Sequence, residues 1–191
     1  MKAVVFLADG FEECEALIVV DLLRRAGVET IMASTMMRLD VRSSRQIQII
    51  ADELVEDVDW KNVDLIVLPG GRIGTENLRK NKLVLGKCVE FASNRNIAAI
   101  CAAPSILADL GLLDGKRATC HPDYEGQMTS AILTEESVTV DGNIVTGQGL
   151  GATFAFAFVL IEALVGFEKA EKIKREICYV EIPLDDKAIM N

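Results

Sequence analysis

The sequence predicts an α/β protein: one mostly parallel, doubly wound sheet with helices on both faces and a small antiparallel addition. Three observations carry this. Short apolar runs alternate with amphipathic stretches in the order β-α-β through most of the 191 residues. The principal runs, such as Asp64-Leu65-Ile66-Val67-Leu68, are apolar without alternation, as strands buried on both faces are. Period-two alternation is confined to short stretches, one of which is built like a hairpin.

Taken in order, residues 3–8 read as a buried first strand. Residues 13–26 read as a helix with Ala16, Leu17, Val19, Val20, Leu23 and Ala26 on its apolar face and Gly27 as its stop. Val28 to Ala33 gives a second strand. Val41 to Ile50 gives short strands, since Gln46-Ile47-Gln48-Ile49 alternates. The strand 64–68 ends at Pro69-Gly70-Gly71. Helices follow near 75–80 and 83–93, then a strand into Cys101 and a helix over about 103–110. Arg117 to His121 is another short strand. Residues 137–146 form a hairpin turning at Asp141-Gly142 or Gly142-Asn143. Residues 151–165 and 167–177 close the chain as two helices, the first almost wholly apolar and therefore buried. There is no internal repeat, low-complexity segment or linker, so residues 1–191 read as a single domain.

Composition excludes several classes of function. Twenty basic against 29 acidic residues give a net charge of -9, and no Lys/Arg cluster goes beyond short runs such as Arg24-Arg25. Nucleic acid and anionic membrane are poor partners for such a surface. The longest apolar stretch, Ala152 to Val165, is too short to span a bilayer and is interrupted by Thr153 and Glu162. The first nine residues lack a signal-peptide cleavage pattern. Five cysteines, an odd number, argue against a disulfide framework and for a reducing cytoplasm. With one histidine and no CxxC pair, a Cys/His zinc site has little to draw on, so no metal is expected.

In a doubly wound sheet, sites form at the carboxyl ends of the strands. That brings together Asp9–Glu15, Pro69–Gly74, the Cys101 turn and His121. The segment Ala98-Ala99-Ile100-Cys101-Ala102-Ala103-Pro104-Ser105 is laid out as a nucleophile elbow: a strand ends on a thiol and small residues open a helix. A helix N-terminus behind the sulfur favours thiolate. The same eight residues equally describe a buried packing cysteine.

The loop Asp9-Gly10-Phe11-Glu12-Glu13-Cys14-Glu15 supplies carboxylates at a helix start, where acids complement the dipole without further purpose. Glu15 falls inside the helix and is placed to face the sheet end, whereas Glu12 and Glu13 read as cap and surface. A carboxyl packed beside a thiol has its pKa raised and becomes a proton carrier. His121, the only histidine, reads as either a structural residue or a general base. Gly70-Gly71 is a turn that brings bare backbone to the site, and the Gly71 and Ala102 N–H groups would form an oxyanion hole. Gly147-Gln148-Gly149-Leu150-Gly151 has the glycines of a dinucleotide loop but no following acidic ribose position, and reads as a turn into the last core helix. Cys14, Cys88, Cys120 and Cys178 have packing explanations; Cys14 and Cys120 also neighbour proposed site residues.

These segments together resemble the ThiJ/PfpI superfamily, in the branch of the Parkinson-disease-linked protein deglycase and its bacterial relatives. The matching stretches are Ala8 to Glu15, Val20 to Gly27, Ser43-Ser44-Arg45, Val67 to Gly71, the Cys101 elbow, Thr119-Cys120-His121-Pro122, and Gly147-Gln148-Gly149 with the apolar helix after it. They run in order over nearly the whole chain. The resemblance implies a flavodoxin-like sheet and a homodimer. It implies that Cys101 is an oxidisable nucleophile, Glu15 the protonated carboxyl that holds it, Gly71 and Ala102 backbone donors, with Gly70 supporting, and His121 the nearby histidine. Asp21 and Arg45 match positions that approach a partner's site across the interface. Two departures stand out. Ala102 occupies a position where the protease-like branch has histidine, which weakens a peptidase reading. Ala103 stands where many relatives have glycine.

The function implied is glutathione-independent glyoxalase or protein deglycase chemistry on methylglyoxal, glyoxal or their early adducts, with no metal or organic cofactor. A redox sensor or stress-linked chaperone using Cys101 is the alternative. A cysteine peptidase or amidotransferase comes third, because His121 lacks an obvious acid in sequence.

Overall fold

The computed structural model describes residues 1–180. The single-domain reading extends to residue 191, and its last stretch, 181–191, lies outside the described residues. The strands are β1 (Lys2–Leu7), β2 (Glu29–Ser34), β3 (Asp40–Arg42), β4 (Gln48–Ile50), β5 (Glu53–Leu54), β6 (Leu65–Leu68), β7 (Asn96–Ile100), β8 (Arg117–Ala118), β9 (Ile132–Leu133), β10 (Val138–Asp141) and β11 (Ile144–Gly147). The helices are α1 (Glu13–Arg25), α2 (Arg72–Lys80), α3 (Lys82–Asn94), α4 (Pro104–Asp109), α5 (Thr153–Val165) and α6 (Phe167–Glu176).

Seven strands form one sheet in the order β10-β11-β7-β6-β1-β2-β5, parallel except for the β10–β11 hairpin. Alternate residues of each strand face opposite layers, as the pleat requires. Val5, Leu7, Val67, Ala98 and Ile100 pack with Leu22 and Leu23 of α1 and Phe156 and Ile161 of α5. Val4, Phe6, Ile66, Leu68, Ile97 and Ala99 pack with Val84, Cys88 and Phe91 of α3 and Ile106 and Leu107 of α4. Each central strand is therefore dry on both faces, which is why its sequence shows no alternation. From β1 the chain crosses to β2, while from β6 it crosses the other way to β7. The switch in direction falls between β1 and β6, and a crevice opens there at the strands' carboxyl ends.

Three expectations need adjustment. The 117–121 strand shrinks to Arg117–Ala118 and pairs with β9 in a separate two-stranded sheet. Beyond it the backbone leaves the ladder, with Thr119 N–H donating to Thr146 Oγ1 and His121 N–H to the Cys101 carbonyl. The helix placed near 75–80 begins earlier, at Arg72. Gly74 hides that start: glycine is a poor helix former, yet a Cβ there would lie 2.6 Å from the backbone N and Cα of Phe11. The short strands around 41–50 form their own hairpin, β3–β4, outside the main sheet.

The two-residue edge strand β5 had no apolar run to announce it. It is held instead by charge. Asp52 Oδ2 accepts from Met32 N–H at 2.7 Å and from Arg24 Nη2 at 2.6 Å, and Arg24 also donates to the Thr30 carbonyl. Asp52→Ala is expected to cost about 1 kcal/mol in urea unfolding. It should also speed amide exchange at Val55, whose N–H bonds to the Ser34 carbonyl. Unchanged exchange there would show that the edge is held by other contacts.

Candidate active site

Backbone bonds gather the loops at the crevice into two sets. Glu12 N–H donates to Gly70 O at 3.0 Å and Gly74 N–H to Gly10 O at 3.1 Å. Cys101 N–H donates to Gly147 O at 2.9 Å and His121 N–H to Cys101 O at 2.8 Å. The loops after β1 and β6 are thus fixed to each other, and the Cys101 turn is fixed to the end of β11 and to the segment after β8, before any side chain is considered.

Cys101 sits at φ 66°, in the left-handed region that residues with a Cβ avoid. This is the strained turn of an elbow, and it lifts the thiol out of the strand line. Its sulfur is within reach of the Gly71 and Ala102 N–H groups and of the Glu15 carboxyl.

Glu15 is fully buried in the first turn of α1. The spacing Glu12-x-x-Glu15 is that of a cap and its third helical residue, and the two acids divide the work. Glu12 Oε2 accepts the Glu15 N–H at 2.7 Å and caps the helix. The Glu15 side chain turns away, accepting the Gly70 N–H at 2.8 Å through Oε2. Gly70 has to be glycine, since a Cβ would lie 2.6 Å from both Cys101 Cβ and Glu15 Oε2. Gly71 adopts φ 84°, and a Cβ on it would meet the Gly10 carbonyl at 2.3 Å.

Glu13 departs from the expected surface position. It is buried, and its Oε2 accepts from Ser44 Oγ at 3.0 Å and from Arg45 N–H at 3.3 Å. It therefore anchors the loop that carries Arg45 to the cleft.

Burial pushes the Glu15 carboxyl up to about 7, assisted by the charge on Glu12 and opposed by the Gly70 N–H and the Cys101 thiol. Burial also pushes the Cys101 thiol up, to about 12, with the facing Glu15 carboxylate adding to it and the Gly71 and Ala102 N–H groups opposing. The helix-terminus expectation of a ready thiolate is therefore outweighed, by burial first and by the Glu15 charge second. α4, with six residues, is also short. A proton on Glu15 removes the second of these and lowers the cost of ionising the sulfur.

His121 is half-exposed at the cleft rim. Its Nδ1 accepts from Asp123 N–H at 3.3 Å and lies 3.7 Å from Asp123 Oδ2. Asp123 is the acid that the sequence did not reveal, and it is itself largely solvent-exposed.

The cleft, about 940 Å³, is lined by Glu12, Glu15, Arg45, Cys101, His121 and Gln148, among others. Arg45 thus borders this chain's own cleft. Asp21 does not: it lies on α1, 2.7 Å from Arg25 Nε, beside an apolar hollow formed by Leu17, Ile18, Leu22, Phe154 and Ile177. The Gly147–Gly151 turn does lead into α5, and it also walls the cleft together with Ser137 and Tyr179. Ser137 and Tyr179 carried no distinguishing signal in the sequence. Among the described residues no group of three or more His, Cys, Asp or Glu side chains converges as a metal site, and no helix is long and apolar enough to cross a membrane.

The sequence matches the DJ-1/PfpI family over residues 1–163. The chain belongs to that family. It is similar to protein dj-1beta of Drosophila melanogaster, 36% identical over 178 residues that cover 91% of this chain and 95% of the relative. The crystal structure of that Drosophila protein superposes with a TM-score of 0.90 at 35% identity, covering 94% of this chain and 98% of the other. DJ-1 homolog B of Arabidopsis thaliana is 36% identical over 88% of this chain, which spans only 39% of that longer relative. The glutathione-independent glyoxalase DJR-1.2 of Caenorhabditis elegans is 30% identical over 87% of this chain and 90% of its own length.

The Glu15 shift has a consequence for stability. Between the ordinary carboxyl pKa of 4.5 and about 7 the folded chain keeps a proton that the unfolded chain has lost. The stabilisation is complete below 4.5 and is lost as pH rises through 7. Glu15→Gln, which keeps the acceptor for Gly70, removes this dependence. Urea midpoints at pH 5 and pH 8 should show wild type losing up to about 3 kcal/mol relative to the variant. Parallel behaviour of the two proteins would place the raised carboxyl elsewhere.

Proposed function

We propose that this chain is a cysteine-dependent, glutathione-independent glyoxalase acting on methylglyoxal, glyoxal or their early protein adducts. One observation supports the reading above others: a buried carboxyl, protonated near neutral pH, faces a thiol flanked by two backbone N–H donors. The family relative named a glutathione-independent glyoxalase adds support.

The steps follow from the groups present. The Cys101 sulfur attacks the aldehyde carbon, and the C–S bond forms as the carbonyl π-pair moves to oxygen. The Gly71 and Ala102 N–H groups stabilise that oxyanion, which then takes a proton to give a hemithioacetal. Glu15, now ionised, removes the proton from the former aldehyde carbon to give an enediol. It returns that proton to the neighbouring carbon, with His121 assisting transfer between the oxygens. The product is a thioester of a 2-hydroxy acid. Water cleaves its C–S bond, and the thiol is restored. No external oxidant or reductant is needed.

Asp21 and the apolar hollow on α1 are read as the face that meets a second copy, giving a homodimer. The five free cysteines suit a cytoplasmic setting. An oxidative sensor is the second reading. The same N–H donors and the Glu15 proton would hold a sulfinate on Cys101. Selective peroxide oxidation of Cys101, with dicarbonyl consumption at background, would favour it.

Methylglyoxal consumption without glutathione is the deciding assay. Wild type should turn over, with kcat/KM rising as pH increases through about 7, where the pair sheds its first proton. Cys101→Ser should abolish turnover. Glu15→Gln should lower kcat by roughly 100-fold or more yet leave Cys101 alkylation at neutral pH as fast or faster, because the opposing charge is gone. Wild-type-like turnover in Cys101→Ser would refute the mechanism.

A further inference from the structure

One charged side chain outside the cleft joins three of the elements that support it. Arg79 is in the last turn of α2, the helix that opens directly after Gly71. Its Nη2 donates to Ser105 Oγ at 2.6 Å and to Gln127 Oε1 at 3.3 Å. Its Nε lies 3.0 Å from Asp109 Oδ2, an ion pair without good hydrogen-bond alignment. Ser105 and Asp109 belong to α4, the helix after the Cys101 turn. Gln127 ends the 3-10 turn Pro122–Gln127, which starts directly after His121. A single guanidinium therefore ties together the three elements that follow Gly71, Cys101 and His121.

The link to the elbow is direct. Ser105 is fully buried, and its hydroxyl, which accepts from Arg79, donates to the Ala102 carbonyl at 2.7 Å. The Ser105 N–H reaches the same carbonyl at 3.2 Å. Ala102 supplies one of the two N–H groups at the sulfur. A strained φ persists only where its surroundings over-determine it, and this relay is one of the constraints on the turn after Cys101. We propose that Arg79 is a positioning residue for the Cys101 site, acting through the Ser105 hydroxyl on the Ala102 peptide and through Gln127 on the segment after His121. The side-chain type matters, because a planar fork with several fixed donors spans three partners whereas a lysine ammonium is a single point.

The proposal rests on Cys101 being the working nucleophile, and its test separates the two. Arg79→Ala, Arg79→Lys, Ser105→Ala and the double variant Arg79→Ala/Ser105→Ala are compared with Arg117→Ala. The control breaks a short ion pair, to Glu136 at 2.6 Å, between two side chains that do not line the cleft. Two quantities are read well below each variant's Tm: kcat and KM for methylglyoxal, and the iodoacetamide alkylation rate of the Cys101 peptide by mass spectrometry. Arg79→Ala should lower kcat about tenfold with KM within twofold and slow alkylation of Cys101 several-fold. Arg79→Lys should recover only part of this, and the double variant should be no worse than the worse single variant. Arg117→Ala should change neither readout. Arg79→Ala or Arg79→Lys with both readouts at wild-type values would overturn the proposal, as would strictly multiplicative losses in the double variant. If Arg79→Ala fails to fold, Arg79→Lys and Ser105→Ala carry the same readouts. Alkylation needs no substrate, so if wild type leaves methylglyoxal untouched, the glyoxalase reading falls while Arg79 is still tested.

Discussion

Holding Cys101 at φ 66° costs backbone energy of order 1–3 kcal/mol, and much of the site is arranged so that the turn cannot relax. Its N–H is tied to Gly147 on one neighbour, and its carbonyl receives the His121 N–H from another. Ala103 N–H closes back onto Ile100, and Ser105 fastens Ala102 from below. The glycines are then consequences. Gly70 and Gly147 are bare because the side chains of Cys101, Glu15, Ile100 and Phe156 occupy the space a Cβ would need. Mutual exclusion of this kind leaves one arrangement of four loops rather than several.

The elbow sets the sulfur opposite Glu15, and burial forces the two groups to compete for a proton. Neither ionises easily, and each ionises less easily when the other already has. Near neutral pH the pair therefore gives up one proton and strongly resists losing the second. The remaining proton sits on carboxyl or sulfur. With the proton on the carboxyl, the sulfur is a nucleophile braced by Gly71 and Ala102. Once sulfur is bonded to carbon, the carboxyl is free to ionise and act as base. One shared proton thus serves consecutive steps of the proposed reaction.

Much of this was legible in the residues. Unalternating apolar runs meant strands dry on both faces, and the order of elements placed their carboxyl ends together. Cys101 was conspicuous because a strand ended on a thiol followed by small residues. Glu15 was legible by its depth in the helix, although three glutamates shared the loop and dipole complementarity explained any of them. Glu13 was misread as a surface residue because helical spacing cannot show that the Ser43-Ser44-Arg45 loop folds over it. Arg79, Ser105 and Asp123 were invisible for another reason. Arg79 and Ser105 act through tertiary contacts between segments separated by tens of residues, whereas Asp123 stands two residues from His121 as one exposed acid among several, and no local pattern distinguishes them from solvated charges or a helix-interior serine. β5 and β9, two residues each, are too short to carry a period at all.

Under the proposed function, turnover and oxidation draw on the same geometry and on the same position of the shared proton. A thiolate braced by two N–H groups is open to an aldehyde carbon and to a peroxide oxygen alike. An aldehyde leaves the proton count of the pair intact and returns the thiol after hydrolysis. Oxygen added to sulfur creates an anion that Glu15 can only meet as a neutral acid, and among the described residues no second thiol lines the cleft to supply the electrons that would remove it. A site that lowers the barrier to the first reaction by stabilising negative charge at sulfur therefore also stabilises the product of the second. If the proposed dicarbonyl chemistry holds, loss of activity under oxidant follows from the same Glu15 proton that makes it feasible.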